Sequence, residues 1–512
     1  MLTENVEICC QLSGILQTTL GPCGMDKLIM DETNGLMTTN DGATLIKHLH
    51  LNHPAAILLS QVSQSQDQLV GDGTTSIVLL SAELLKQANV LVTSKNIHPS
   101  HIIQVYRKAQ RFTCDLIDKL ALSLTPENTK SYLQMIATTT IGSKIIGINN
   151  VHFRDMAVEA SLRLENFDKN VFVFKRTGAS IAHSRLLDGI MLKCRRLGVS
   201  SPTSVKNAKI LLCKISNLSS SRSKIHNVKI DLDGGEADIL SKIETDQLEQ
   251  ICDQVFSTGA NVVFNCGAAI HYHAEQYLNN KGVLCMGYVD NSDCEMIATA
   301  TGAKIVSRID SDSSSRLGKA KMVKQILLAD ELALEISGCD NLQGWCSVLF
   351  RAPTRSMLNE CEISFNDALC ALSEALKSKK VIGGGGCLYM HVAEKMRQGA
   401  RINGGVQQLV IESFASSLEI IPTILCSNGG FNASSIISQL SKLHSSPESS
   451  PWMGVDMIEG KVFDTVNAGI LESSSILNNI IKGSVDASEM ILRIDQNILL
   501  KPDKSLEQLG YM

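Results

Sequence analysis

Aromatic residues are scarce: 12 Phe, 7 Tyr and 2 Trp make 4% of 512 residues. So sparse a set argues against the stacking platforms that hold single-stranded nucleic acid. An excess of positive charge is missing too. Lys and Arg number 47 against 52 Asp and Glu, a net −5, which leaves no electrostatic footprint for DNA or RNA. No Cys-x-x-Cys pair occurs among the 16 cysteines, which are scattered from Cys9 to Cys426. A chain this long needs no staples, so the thiols are expected to be reduced, buried, small apolar side chains of a reducing compartment. No apolar run approaches the roughly 18 residues of a membrane span. The opening Met1-Leu2-Thr3-Glu4-Asn5-Val6-Glu7 carries acidic residues where a secretory signal needs basic ones. The expected setting is therefore cytoplasmic or nuclear, with no membrane and no nucleic acid as partner.

Hydrophobic residues at 44% and charged residues at 19% supply a sizeable core and exclude wholesale disorder. At roughly 150 residues per domain, the length suggests about three domains. The first part reads as helical, with Ile77–Val90 and Ile102–Leu122 showing helical spacing of apolar residues. The middle changes character. Asn170–Lys175, Ile210–Cys213, Val228–Leu232, Asn261–Phe264 and Gly282–Cys285 are short β-rich runs, with helical Asp246–Val255 and His273–Leu278 between them. This alternation predicts an α/β domain over roughly 190–345. Ser216–Ser223 reads as a surface loop. From Glu360 onward long helical patterns return, broken at Gly383–Gly386 and Ser445–Pro451. Like ends around a different middle predict one domain inserted within another.

Four glycine-rich motifs carry possible chemistry. Gly71-Asp72-Gly73-Thr74-Thr75-Ser76 directly precedes the helix at Ile77. Its glycines allow close backbone approach, the helix start offers N–H groups to an anion, and Asp72 suits Mg²⁺. A plain helix cap is the competing reading. It is not a Walker A loop, because no Gly-Lys-Ser/Thr follows. Thr19-Leu20-Gly21-Pro22-Cys23-Gly24-Met25-Asp26-Lys27 and Thr39-Asn40-Asp41-Gly42-Ala43-Thr44 are also turn chemistry. Gly383–Gly386, before a helical run at Leu388–Met396, suits either close packing on a flat ligand or a hinge. Asp367 shares an apolar helix side with Ile363 and Ala371. A carboxylate there is costly unless paired or used, for instance to orient a water for attack on phosphate, or unless it reaches solvent at the stripe's edge. His271-Tyr272-His273 lacks a third metal ligand and reads as a capping or exposed pair. Arg195-Arg196 and Lys379-Lys380 read as solvated faces.

Order and spacing say more than any one motif. TLGPCGMDKL, TTNDGATLIKHL, NHPAA, SQSQDQLVGDGTTSIVLL, NDALCAL, VIGGGG, SLEIIPTIL, GVD, GILES and ILRID follow one another along one chain. STGANVVF and ATGAKIVSRID lie between. The chain closely resembles the group II chaperonins, and among them the subunits of the eukaryotic cytosolic (T-complex) ring, most of all the eta type.

The resemblance implies a multi-domain chaperonin fold of mixed α+β and α/β character. A helical equatorial ATP domain would be built from 1–127 and 381–512. A small α/β intermediate domain would take 128–193 and 346–380, and an α/β apical substrate-binding domain 194–345. The implied ligands are ATP and Mg²⁺. Leu20, Gly21 and Pro22 would line the nucleotide, Asp72 would hold Mg²⁺, and Gly73, Thr74, Thr75 and Ser76 would meet the phosphates. Asp41 and Asp367 would orient the attacking water and Lys144 would sense the γ-phosphate. Gly384 and Gly385 would pack on the nucleoside and Glu472 would reach the ribose. The implied partners are paralogous subunits in a hetero-oligomeric double ring and unfolded client proteins.

Several features depart from the family. The chain begins about two dozen residues late, which implies a missing strand at the subunit contact or an incomplete start. Cys23 stands where a basic residue is usual, and Leu471 and Ser473 flank Glu472 in place of an aromatic and a proline. The stretch between Ala237 and Asn261 is about ten residues short, which implies a reduced apical lid. Such losses resemble the McKusick–Kaufman and Bardet–Biedl group of ciliary assembly factors, so a scaffold outside a normal ring is the alternative. That group typically loses ATPase residues, whereas Asp41, Asp72, Lys144 and Asp367 are all present here.

Overall fold

The computed structural model describes residues 2–30, 36–164, 171–193, 201–215, 218, 236–329, 331–339, 344–446 and 449–497. The chain divides into two compact units: Met1–Val158 with Asn359–Met512, and the continuous stretch Glu159–Leu358.

The first unit opens with α1 (Leu2–Leu16), a hairpin of β1 (Lys27–Met30) and β2 (Leu36–Thr39), and α2 (Gly42–His48). There follow α3 (Pro54–Val70), α4 (Thr74–Lys95), α5 (Pro99–Leu120), β3 (Leu122–Ser123) and α6 (Thr129–Gly142). Helix α7 (Asn150–Arg163) runs across the division. The second unit holds β4 (Val171–Thr177), β5 (Arg185–Leu187), β6 (Gly189–Lys193), β7 (Ser204–Cys213), α8 (Glu236–Ser257), β8 (Val262–Cys266) and α9 (Tyr272–Asn280). It continues with β9 (Leu284–Val289), α10 (Asn291–Thr301), β10 (Ile305–Val306), β11 (Gly318–Leu328), β12 (Glu331–Cys339) and β13 (Cys346–Ala352). Helix α11 (Arg355–Ser378) crosses back. The first unit then resumes with β14 (Lys380–Gly383), α12 (Cys387–Asn403), α13 (Gly405–Leu418), α14 (Ile420–Asn428), α15 (Ala433–Ser445), β15 (Met453–Val455), β16 (Val462–Asp464), β17 (Leu471–Ser473) and α16 (Ser474–Leu492).

Local chemistry explains several helix starts. His53-Pro54 and His98-Pro99 each put an imidazole at the N-cap and a proline at the first helical position. The two rings accept from the N–H groups of Ala55 and Ser100, both at 3.2 Å, while proline gives up an N–H that has no helical partner there. His271 caps α9 in the same manner, accepting from His273 N. The His271-Tyr272-His273 group is thus a helix cap.

Helix α4 lies at the centre of the first unit, packed by α1, α3, α13 and α16. Leu79, Leu80, Leu84, Leu85 and Ala88 are fully buried, so apolar residues surround it instead of forming one stripe. Small residues let α16 come close: Ser484 Oγ donates to the Ile77 carbonyl at 3.1 Å, and a Cβ at Gly483 would stand 2.5 Å from Ile77 Cδ1. By length and composition, Thr74–Lys95 and the stretch Gly405–Asn428 could each cross a membrane, which corrects the reading that no run comes near. More than half of each is buried within the protein, as in core helices. A small sheet of order β17-β14-β3 pairs Ile382 with Glu472 and Val381 with Leu122.

In the second unit the main sheet runs β6-β12-β11-β7-β8-β9, and β10 pairs with β7. Strands β7, β8 and β9 are parallel, and their paired core, Ile210–Cys213, Val262–Phe264 and Leu284-Cys285, is continuously apolar and buried, as expected where a sheet is covered on both faces. Strand β13 joins β4 and β5 in a separate sheet. The β-rich runs predicted at 170–175, 210–213, 261–264 and 282–285 all fall within strands or at their edges. The shortened stretch between Ala237 and Asn261 belongs to the single helix α8 and the turn after it. Val228–Leu232, Arg195-Arg196 and, apart from Leu218, Ser216–Ser223 lie outside the described residues.

The expectation of wholly reduced cysteines is corrected. Cys266, at the end of β8, and Cys294, in α10, form a disulfide with Cα atoms 6.3 Å apart. The remaining described cysteines are free, and Cys23 alone among them is exposed. Closing the 28-residue separation between Cys266 and Cys294 corresponds to about 3–4 kcal/mol in the chain-entropy account. Alkylation of the unreduced, unfolded protein followed by mass spectrometry should leave this pair unmodified. Recovery of both as alkylated thiols means the bond does not form in solution.

Candidate functional site

Four separate segments of the first unit meet around Lys144. Asp41 caps α2, and its Oδ2 accepts from Thr44 N at 2.8 Å and Thr44 Oγ1 at 2.7 Å. Its other oxygen accepts from Thr74 Oγ1 at 3.2 Å, which ties this turn to the start of α4. Gly71 and Gly73 both take left-handed backbone angles, φ 72° and 78°, which glycine adopts without strain. Between them, Asp72 Oδ1 accepts from Gly73 N at 2.6 Å. No side chain caps α4, so the competing reading of Gly71–Ser76 as a plain capping turn does not hold. Thr74 and Thr75 are buried there and Ser76 is half-buried.

Lys144 Nζ bonds Asp367 Oδ2 at 2.8 Å across 223 residues of sequence. Asp367 is 7% exposed, so the stripe-edge reading, in which it reaches solvent, is set aside. Burial pushes its pKa up to about 8, against the pull of Lys144 and with the push of Asp41 and Asp72. Burial works against the ammonium of Lys144, but Asp367, Asp41 and Asp72 outweigh it and raise its pKa. Asp72 is raised by burial, with Lys144 opposing. Three acidic side chains thus gather around one ammonium. That donor set suits a divalent cation. Yet among the described residues no three acidic, His or Cys side chains converge as a metal cage. The fit is to Mg²⁺, which typically takes one or two carboxylates and completes its shell with water and phosphate oxygens.

The remaining predicted residues line two further loops. Leu20, Gly21 and Pro22 follow a short 3₁₀ turn, with Gly21 at φ 84°. Asn428 holds this loop by donating to Gln17 O at 2.9 Å and Leu20 O at 2.8 Å. Asn40 Nδ2 ties it to the Asp41 turn through Asp26 Oδ1 at 3.2 Å. Gly384 and Gly385 follow β14. A Cβ at Gly384 would stand 2.6 Å from Glu472 Oε1, and one at Gly383 would stand 2.6 Å from Thr465 Oγ1. The glycine run is therefore packed tightly, which argues against the hinge reading. Burial pushes Glu472 up to about 7, with Asp72 adding to it.

Thr39 and Thr44 end the turn motif read from the sequence but were given no role there, and Asn428 and Glu360 were not singled out. Nor was Asp67, which stands on the exposed side of α3. Glu360, two helical turns before Asp367, carried a legible signal: the same spacing that set Asp367 on the apolar side.

The raised pKa of Glu472 makes a stability prediction. Between its ordinary value near 4.5 and about 7, the unfolded chain has lost the proton that the folded chain keeps, so stability falls as pH rises through that window. Glu472→Gln removes this term. Without added ligand, the variant should match the wild type at acid pH and become progressively more stable than it up to neutrality. Denaturant unfolding at a series of pH values measures this, and a constant difference would refute it.

Comparison with known proteins gives this geometry a family. The model of the TCP-1/cpn60 chaperonin family matches residues 12–502. The chain is 32% identical over 500 residues to T-complex protein 1 subunit beta of Homo sapiens, covering 96% of this chain and 92% of that one. The corresponding Saccharomyces cerevisiae subunit is 33% identical over 495 residues, covering 95% and 93%. Thermosome subunit alpha of Archaeoglobus fulgidus is 35% identical over 497 residues, covering 95% and 89%. The T-complex relatives found are beta subunits, which does not support the eta-type likeness read from the sequence, and identities so alike for eukaryotic and archaeal subunits identify the family alone. This chain belongs to the TCP-1/cpn60 chaperonin family, on its group II side.

Proposed function

We propose that this chain is an ATP-hydrolysing subunit of a hetero-oligomeric, cytoplasmic double-ring chaperonin that binds unfolded proteins. The observation that carries the reading is the meeting of Asp41, Asp72, Lys144 and Asp367 at an uncapped helix start. An assembly scaffold that has lost ATPase chemistry would have no need to keep three carboxylates around a buried ammonium.

Each part has a role under this reading. Residues 1–127 and 381–512 serve as the equatorial domain, 128–193 and 346–380 as the intermediate domain, and 194–345 as the apical one. The N–H groups and hydroxyls of Gly73, Thr74, Thr75 and Ser76 receive phosphate oxygens. Leu20, Gly21 and Pro22 flank the nucleotide, Gly384 and Gly385 give the nucleoside a surface without side chains, and Glu472 accepts from the ribose. Asp72 would hold Mg²⁺, which when bound neutralises phosphate charge.

Lys144 and Asp367 neutralise one another now. A terminal phosphate competes for the ammonium, and as Lys144 turns to it Asp367 is released. Asp367, its basicity raised by burial, and Asp41 then accept hydrogen bonds from a water and align it for attack.

Asp367→Ala should retain MgATP binding and lose hydrolysis by about two orders of magnitude or more, in the range typical for removal of a general base. Equilibrium binding and single-turnover phosphate release distinguish the two effects. Native mass of the protein from its own cells tests the assembly. A particle many times the mass of one chain, holding related subunits, supports the ring, whereas a monomer or a complex with unrelated proteins refutes it.

A further inference from the structure

One face of the β4-β13-β5 sheet, in the second unit, carries more arginine than carboxylate. Strand β13 pairs in parallel with β4, which sets Arg351 directly beside Arg176, and antiparallel with β5, which sets Leu349 beside Arg185. Side chains alternate along a strand and paired residues share a face. Arg176, Arg351 and Arg185 therefore stand on the same side as Phe174, Leu187 and Leu349, which form an apolar cluster with Met191 and Ala333. Two carboxylates from β12 answer the three cations. Glu331 pairs with Arg176, and Glu335 pairs with Arg185 at 2.8 Å. No described carboxylate pairs with Arg351, although that residue is only 8% exposed. Its Nε is buried without a hydrogen-bond partner, and so is the Nε of Arg176.

A buried cation with no counter-ion is costly, and like charges on paired residues add repulsion. The position is nonetheless held firmly. Ser184 is fully buried, and its Oγ accepts from Arg351 N at 3.0 Å and donates to Arg351 O at 3.4 Å. The Arg176 guanidinium carbon lies 4.8 Å from the centre of the Phe174 ring, which orients that side chain as well. With Glu331 counted, the two neighbouring arginines keep a surplus positive charge and an unused N–H donor each.

We propose that Arg176 and Arg351 together bind a phosphoryl group. One arginine fork matches the two oxygens of a carboxylate, whereas two forks side by side call for an anion with more acceptors, which a tetrahedral phosphate supplies. No residue of this site belongs to the group around Lys144, so the proposal goes beyond ATP hydrolysis and stands apart from it.

The test is equilibrium dialysis of radiolabelled inorganic phosphate against the full chain, with excess MgADP to fill the nucleotide site and chloride to fix the ionic strength. Wild type should bind phosphate saturably, and acetate at equal concentration should not displace it. Arg351→Met and Arg176→Met should each weaken phosphate binding at least about tenfold, as loss of hydrogen bonds to a charged group does. Arg351→Lys should recover only part, because an ammonium keeps the charge without the fork. Competition by phenyl phosphate would identify the ligand as a phosphate monoester, and its failure to compete would identify the free ion; either result supports the site. Absence of saturable phosphate binding to wild type, or displacement by acetate as readily as by phosphate, overturns the proposal. A merely structural role would lower the thermal midpoint of Arg351→Met and leave the phosphate affinity of the folded fraction unchanged, which overturns it too. If Arg351→Met does not fold, Arg176→Met alone must show the weakened binding, and wild-type affinity there overturns the proposal. Failure of MgADP to bind counts against the nucleotide reading alone, since the two substitutions still show whether these arginines hold phosphate.

Discussion

One ammonium in a crowd of buried carboxylates sets the terms for the rest of the first unit. Lys144 lies 2.8 Å from Asp367 and feels Asp41 and Asp72 as well. A buried ion pair recovers its desolvation only where geometry is good and the remaining polar atoms are satisfied. Much of the surrounding fold supplies those partners. Thr44 and Thr74 serve Asp41, the Gly73 amide serves Asp72, and Gln66 binds the Asp72 carbonyl at 2.9 Å. Around this one ammonium stand more acidic groups than it can pair with.

A second constraint is steric. At Gly383 and Gly384 a side chain would collide with Thr465 and Glu472, and the register of β14 against β17 is what brings Glu472 there. That small sheet joins segments from three parts of the chain, through strands of only two to four residues. The same economy recurs at the loop of Leu20–Pro22, held by one asparagine from α14.

Legibility followed the strength of local signals. Helices α4, α5, α11 and α12 were readable because apolar residues recur at helical spacing over many turns. The parallel strands of the second unit were readable as continuous apolar runs. The β1–β2 hairpin escaped notice, because its strands are four residues long and Leu28, Met30 and Leu36 stand exposed. The Cys266–Cys294 pair was invisible, since nothing at a spacing of 28 marks two thiols as neighbours. In the site, Asp41 and Asp72 were marked by adjacent glycines. Lys144 had no local mark and came only through family likeness, and Asp67 and Glu360 were given no role.

By itself the sequence determined the order of helical and β-rich regions, the glycine turns beside acidic residues, and the family. Each of these rests on interactions between residues close along the chain, or on a motif order that survives divergence to about a third identity. Tertiary structure alone decided which carboxylates share Lys144, that Asp367 is buried and paired instead of solvated, and that α4 begins without a cap. Electrostatic energy depends on distance and on the exclusion of water, and both are properties of the packed chain. Residues 223 positions apart become partners only when the helices that carry them are brought together.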